Sequence, residues 1–159
     1  MSEIKIIEKD ICLANTKFIA HCTNAITQRS AGVAKAIFDA FPYANEYKDR
    51  TTQTPVPSIS ICGDGIQNRY VINIYSIVYP GKPKYPNSTL DGNAARLKNF
   101  YECLKQVQKI QNLNSIAFPY NICCNLAGGN WEQEYYPLLQ KFALSLGDKV
   151  EVVLYKKDM

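Results

Sequence analysis

The sequence predicts an α/β fold, a mostly parallel sheet with helices on both faces. Short β-branched or apolar runs alternate with segments whose apolar residues recur at helical spacing, the order of strands joined by covering helices. The chain has 159 residues, which suits one domain around one core. No repeat, linker or low-complexity segment interrupts it, so residues 1–159 read as a single domain.

Ile4 to Ile7 is the first β-branched run and Lys17 to His21 the second. Small and polar residues follow. Val33, Ala36, Ile37, Ala40 and Phe41 then fall on one helical face, which Pro42 ends. Ser58 to Cys62 and Tyr70 to Val78 read as strands split by the Gly-Asp-Gly turn at 63–65. A Pro- and Gly-rich loop spans Tyr79 to Asn87, too long for a simple connector and of the kind that often carries function. Leu97, Phe100, Tyr101, Leu104 and Val107 restore helical periodicity, and Ser115 to Pro119 is a short apolar strand. Asn121 to Asn130 is a loop of small residues. Pro137 is tolerated only in a first helical turn, because deeper in a helix it costs about 3 kcal/mol. A brief turn is therefore expected near Trp131, with the main helix from about Pro137 burying Leu138, Leu139, Phe142 and Leu146. Val150 to Tyr155 is the last strand.

Apolar residues make up 47% and charged residues 20%, an ordinary globular balance. The net charge of +4 suits an anionic ligand, but the basic residues are scattered rather than clustered as in a nucleic-acid coat protein. No apolar stretch approaches the roughly 18 residues of a membrane helix, and the first ten residues lack the apolar segment of a signal peptide. The expectation is a soluble cytoplasmic or otherwise intracellular protein, without membrane contact. Cys12, Cys22, Cys62, Cys103, Cys123 and Cys124 form no C-x-x-C pair, and the adjacent Cys123 and Cys124 have the wrong spacing for zinc. Buried free thiols are expected, with no metal and no cofactor.

Two loops leave strand ends and enter helices: His21 to Ala34, and Asn121 to Trp131. Ligands of open α/β sheets sit outside the carboxyl ends of strands, where helix N-termini offer free N–H groups and a positive dipole end. Two such loops facing each other could cradle a diphosphate.

These loops carry a resemblance. The chain is similar to macrodomains of the type that processes ADP-ribose 1''-phosphate. That family shows Asp-Ile after its first strand, as at Asp10-Ile11. It then shows a strand ending in His-x-x-Asn and G-V-A opening a helix, as at His21-Cys22-Thr23-Asn24 and Gly32-Val33-Ala34. Phe41-Pro42 closes that helix, and the Tyr79-Pro80-Gly81 loop and the helix start from Asp91 to Arg96 also fit. The family's second loop, P-Y-G-I-G-C-G-L-A-G-G-D-W, corresponds to Pro119-Tyr120-Asn121-Ile122-Cys123-Cys124-Asn125-Leu126-Ala127-Gly128-Gly129-Asn130-Trp131. The resemblance covers nearly the whole chain and implies a three-layer sandwich with a mixed sheet of about six strands. It implies ADP-ribose, or a derivative, as ligand. Adenine would lie near Asp10 and Ile11, the distal ribose in the first loop with Asn24 donating to its hydroxyls, and the phosphates within the second loop. ADP-ribosylated macromolecules are implied as partners, and the chain is expected to act as a monomer.

The departures bear on chemistry. Asn121, Cys123 and Asn125 replace loop glycines, and Ser30 another. Glycine permits positive φ; Asn tolerates it moderately and Cys poorly. Asn130 replaces an acidic residue and, being neutral, cannot act as a general base. Ile77 stands where some relatives place a lysine nucleophile or a glutamine. His21, the only histidine, reads either as an acid/base or water-orienting group or as a strand-end histidine bonded within the fold. Asn24 reads as a ribose ligand or a loop former, and Asp10 as an adenine ligand or a turn cap. Tyr75, Tyr79, Tyr85, Tyr135 and Tyr136 read mostly as packing groups, one of which could stack on a base. Three functions follow: a hydrolase of ADP-ribose 1''-phosphate or of an ADP-ribosyl linkage, with His21 and Asn24 catalytic; a reader that binds ADP-ribose without turnover; or an adenine-rich strand binder, which the weak positive charge does not favour.

Overall fold

A computed structural model describes residues 4–66 and 68–157. Met1 to Glu3, part of the stretch read for a leader, lie outside the described residues. The elements are β1 (Lys5–Glu8), β2 (Phe18–Asn24), α1 (Gly32–Ala40), β3 (Ser58–Gly63), β4 (Tyr70–Ile77), α2 (Asn93–Gln108), β5 (Ser115–Pro119), α3 (Tyr136–Leu146) and β6 (Glu151–Lys156). The strands form a six-stranded sheet in the order β1-β6-β5-β2-β4-β3. Every pairing is parallel except β3 with β4, the hairpin closed by the Gly-Asp-Gly turn.

Alternation along the strands feeds two cores. Ala20, Ile72, Ile74, Ile116, Phe118 and Leu154 face α2 and α3, meeting Phe100, Leu104, Val107, Leu139 and Phe142. Ile19, Val71, Ala117 and Val153 face the opposite way, onto Ile37 and Phe38 of α1. Strands buried on both faces need apolar residues at consecutive positions, which is why they read as runs rather than as alternating patterns. The expected three-layer α/β sandwich is the observed fold.

Local deviations are few. β2 runs on to Asn24, three residues past its apolar stretch, through parallel pairing with β4 that shifts register between Thr23 and Asn24. The turn expected near Trp131 is a π-helical segment, Trp131–Tyr135, leading directly into α3 with Pro137 in the first turn. Among the cysteines, all free, only Cys103 and Cys123 are buried; the other four are half-buried. No helix among the described residues is long and apolar enough to cross a membrane.

Candidate functional site

The parallel strands deliver their C-terminal ends, and the loops that follow, to one rim of the sheet. There the segment after β2, the start of α1, Pro80-Gly81 after β4 and the loop after β5 enclose a cleft. Gly32, Val33 and Ala34 line it as the first turn of α1, and Ala31, the residue before the helix, makes no side-chain cap. First-turn N–H groups have no intrahelical acceptor, so the positive end of α1 opens on the cleft.

The second loop wraps the other side. Asn121, Ile122, Cys123, Asn125, Leu126 and Ala127 line the cleft, whereas Cys124 does not. Two of the three replaced glycines keep the left-handed backbone: Asn121 has φ 66° and Cys123 φ 64°. For an L-residue that conformation costs about 1–2 kcal/mol, so the surrounding loop imposes it. Gly129 is required for close approach, since a Cβ there would lie 2.8 Å from the Cys123 carbonyl oxygen and 2.7 Å from the Tyr135 ring.

A buried ion pair ties the walls together. The Asp91 carboxylate accepts from the N–H groups of Val78 (2.8 Å) and Tyr79 (3.1 Å). It pairs with Arg96 at 2.8 Å. The guanidinium also donates to the carbonyls of Tyr79 (2.9 Å), Gly81 (2.7 Å) and Ala127 (3.4 Å). The likeness seen at Asp91 to Arg96 therefore has a structural meaning: one side chain spans the Tyr79–Gly81 loop and the second loop.

Asn24 lines the cleft. Its Oδ1 accepts from the N–H groups of Ile26 and Thr27 and from the Thr27 hydroxyl, at 3.0–3.1 Å. Its Nδ2 donates to no residue among those described. The loop-forming role is thus filled by the oxygen, and the amide nitrogen stays free to donate.

His21 lies elsewhere. It is fully buried on the α1 face of β2, edge-on to Phe38 at 5.2 Å, and does not line the cleft. Asn73, its register partner on β4, donates to the Ala44 carbonyl and to Glu46, so its Oδ1 is the acceptor for the His21 Nε2–H at 2.6 Å. Nδ1 has no partner. Burial pushes the imidazole down to about 4, against the raising effects of Asn73 and Glu46. The acid/base or water-orienting role expected of His21 is not supported by this placement. Thr23, two residues further along the same face of β2, reaches the cleft, whereas His21 lies one step deeper in the strand and is covered by Phe38.

Asp10 and Ile11 do not line the cleft as enclosed here. Asp10 caps the 3-10 turn Ile11–Leu13 by accepting from the Cys12 N–H at 2.9 Å, and Ile11 packs into the core under α1. Both follow β1 and so stand on the same rim, two strands from β5. Asn130, read as a lost base, also lies off the cleft; its Oδ1 accepts from the Gln133 N–H at 3.1 Å and caps the π-helical turn. The Asn-x-x-Gln spacing of a capping box was the available sequence signal. Ile77 does line the cleft and is nearly buried.

Three lining residues were not named from sequence: Arg29, Ala31 and Tyr47. Arg29 is the only charged residue between His21 and Ala34, a legible signal. None of the tyrosines named as possible stackers lines the cleft; Tyr75 and Tyr135 are buried, and Tyr136 stacks on Trp131. Among the described residues lining the cleft there is no carboxylate and no imidazole, and Arg29 carries the single formal charge. Burial raises the thiol of Cys123 well above its usual range, so it is held as the neutral thiol rather than the nucleophilic thiolate. No three His, Cys, Asp or Glu side chains among the described residues converge as a metal site.

The layered sheet, its strand order and the cleft at its C-terminal rim define a macrodomain-type α/β sandwich. No family model matches the sequence, and no curated protein matches it. Solved structures do. The fold is similar to that of a Bacteroides thetaiotaomicron protein, with TM-score 0.72 and 22% identity over 97% of this chain and 99% of that one. It is similar to the macrodomain of Thermus aquaticus DarG, with TM-score 0.64 and 22% identity over 96% of this chain and 97% of that one. It is also similar to the Trypanosoma brucei macrodomain in complex with ADP-ribose, with TM-score 0.67 and 16% identity over 97% of this chain and 63% of that one.

Proposed function

We propose that the chain, read as one module over residues 1–159, binds ADP-ribose or a close derivative in this cleft. The observation that carries the reading is the convergence of two strand-end loops on the uncapped N-terminus of α1. Free N–H groups at a helix start, beside the positive end of its dipole, form an anion site, and a diphosphate is the part of ADP-ribose that needs one. The solved complex of the similar Trypanosoma brucei macrodomain supports the choice of ligand. Arg29 adds a charge to the phosphates. The Asn24 Nδ2 donates to a distal ribose hydroxyl. Adenine extends along the rim towards Asp10, whose carboxylate accepts its exocyclic amine. The open rim leaves room for an ADP-ribosyl group still joined to a macromolecule.

Turnover is the less supported part of this reading. Hydrolysis of ADP-ribose 1''-phosphate, or of an ADP-ribosyl linkage, needs an activated water. A cleft lined by neither carboxylate nor imidazole supplies only positioning and amide stabilisation of charge. The chemistry of the lining favours a reader over a hydrolase.

Calorimetric titration tests the binding, and ADP-ribose should bind more tightly than ADP or AMP. Heat indistinguishable from buffer at millimolar ADP-ribose would sink the reading. Arg29→Glu should weaken ADP-ribose about tenfold at low salt, with the gap narrowing at high salt because Arg29 is exposed. An unchanged dissociation constant would place Arg29 outside the phosphate field. Incubation with ADP-ribose 1''-phosphate and chromatography of the products separates reader from hydrolase.

A further inference from the structure

Tyr47 enters the site through packing rather than through any motif. It follows the 3-10 turn Pro42–Ala44 that succeeds α1. Its ring stands edge-on to Phe38 at 5.1 Å, and the Arg50 guanidinium lies 4.7 Å above it. The side chain is 2% exposed, yet it forms part of the cleft wall. Its hydroxyl oxygen accepts the backbone N–H of Asn24 at 2.7 Å.

That bond uses a lone pair and leaves the hydroxyl hydrogen without an acceptor among the described residues. A phenol both accepts and donates, and a buried donor left unmade is costly. Burial, the largest influence on this phenol, holds it protonated well above its usual range, so it remains a donor at any working pH. The ring cannot swing away, because Phe38 and Arg50 fix it. The acceptor must therefore come from the cleft, beside Asn24.

We propose that the Tyr47 hydroxyl donates a hydrogen bond to the distal ribose of the bound ligand. It and the Asn24 Nδ2 form a pair of neutral donors that read the end of ADP-ribose which ADP lacks. The assignment rests on the reading of the cleft as an ADP-ribose site and adds its specificity-determining residue. Two neutral donors suit sugar oxygens, which carry no charge and gain little from Arg29.

The test uses wild type, Tyr47→Phe, Asn24→Ala and the double variant, each titrated with ADP-ribose and with ADP. Phenylalanine keeps the ring packing and removes only the hydroxyl. Circular dichroism and the urea midpoint check the fold, and ADP is the internal control ligand. Tyr47→Phe should weaken ADP-ribose about tenfold and leave ADP within about twofold, the size of one lost hydrogen bond. The same loss should persist in the Asn24→Ala background. Three results would overturn the assignment: no loss for ADP-ribose, an equal loss for both ligands, or a loss that vanishes once Asn24 is alanine. The second would make Tyr47 a general support of the loop, and the third would make it act only through Asn24. Wild type that fails to bind ADP-ribose would remove the underlying reading instead.

Discussion

Arg96→Ala is expected to lower the free energy of unfolding by about 3–5 kcal/mol, the usual result of removing one partner from a buried ion pair. Arg96 is 3% exposed and Asp91 7%, so neither group would regain water in the folded variant. Asp91 would keep its two backbone donors, from Val78 and Tyr79, but lose the charge that offsets its own. The carbonyls of Tyr79, Gly81 and Ala127 would lose a donor. Because those carbonyls belong to two walls of the cleft, the variant should also bind ADP-ribose more weakly under conditions where it remains folded. Arg96→Lys should recover only part of the stability, since an ammonium cannot reproduce the planar fork that reaches Asp91 and the carbonyls together. Urea denaturation gives the number. A change below about 1 kcal/mol, the range of an exposed pair, would mean that the pair is not held in the buried geometry described.

The second large effect is a loss of stability on mild acidification, caused by His21. In the unfolded chain imidazole titrates near 6.5; in the folded protein burial holds it down to about 4. Below pH 6.5 the unfolded chain takes up a proton that the folded protein refuses. Stability is therefore full above about pH 6.5 and drains as the pH falls towards about 4, by about 3 kcal/mol over the whole window. Between pH 7 and 5 the loss should be about 2 kcal/mol. His21 is the only histidine in the chain, so little else titrates in that interval. His21→Gln should flatten the slope between pH 7 and 5 whatever it does to stability at pH 7. A wild-type urea midpoint that stays constant across that range would contradict the buried, neutral ring.

Much of the fold was legible because its determinants are local. Apolar periodicity marked α1, α2 and α3, and consecutive β-branched runs marked the strands. Pro137 marked the true start of α3 through the steric rule that confines proline to a first turn. The two site loops were legible for the same reason, since glycine, asparagine and small residues after a strand announce a turn into a helix. Less legible were side chains whose role depends on depth and on the partners they meet. His21 stood in the right motif but too deep in β2, buried beneath Phe38. Asn130 was read as a missing base, although its three-residue spacing from Gln133 made it a cap.

The sequence by itself determined the layered α/β architecture and the two loops at the sheet rim. These depend on periodicity and turn chemistry within a few residues. Tertiary structure alone decided that Asn121 and Cys123 hold a left-handed backbone, that Arg96 spans two walls of the cleft, and that Tyr47 stands beside Asn24. In the last two cases the partners are far apart in the chain: 23 residues between Asn24 and Tyr47, and 31 between Arg96 and Ala127. No local pattern encodes such a pairing, because it is set by how α1, β4 and β5 close around the rim once both cores have packed.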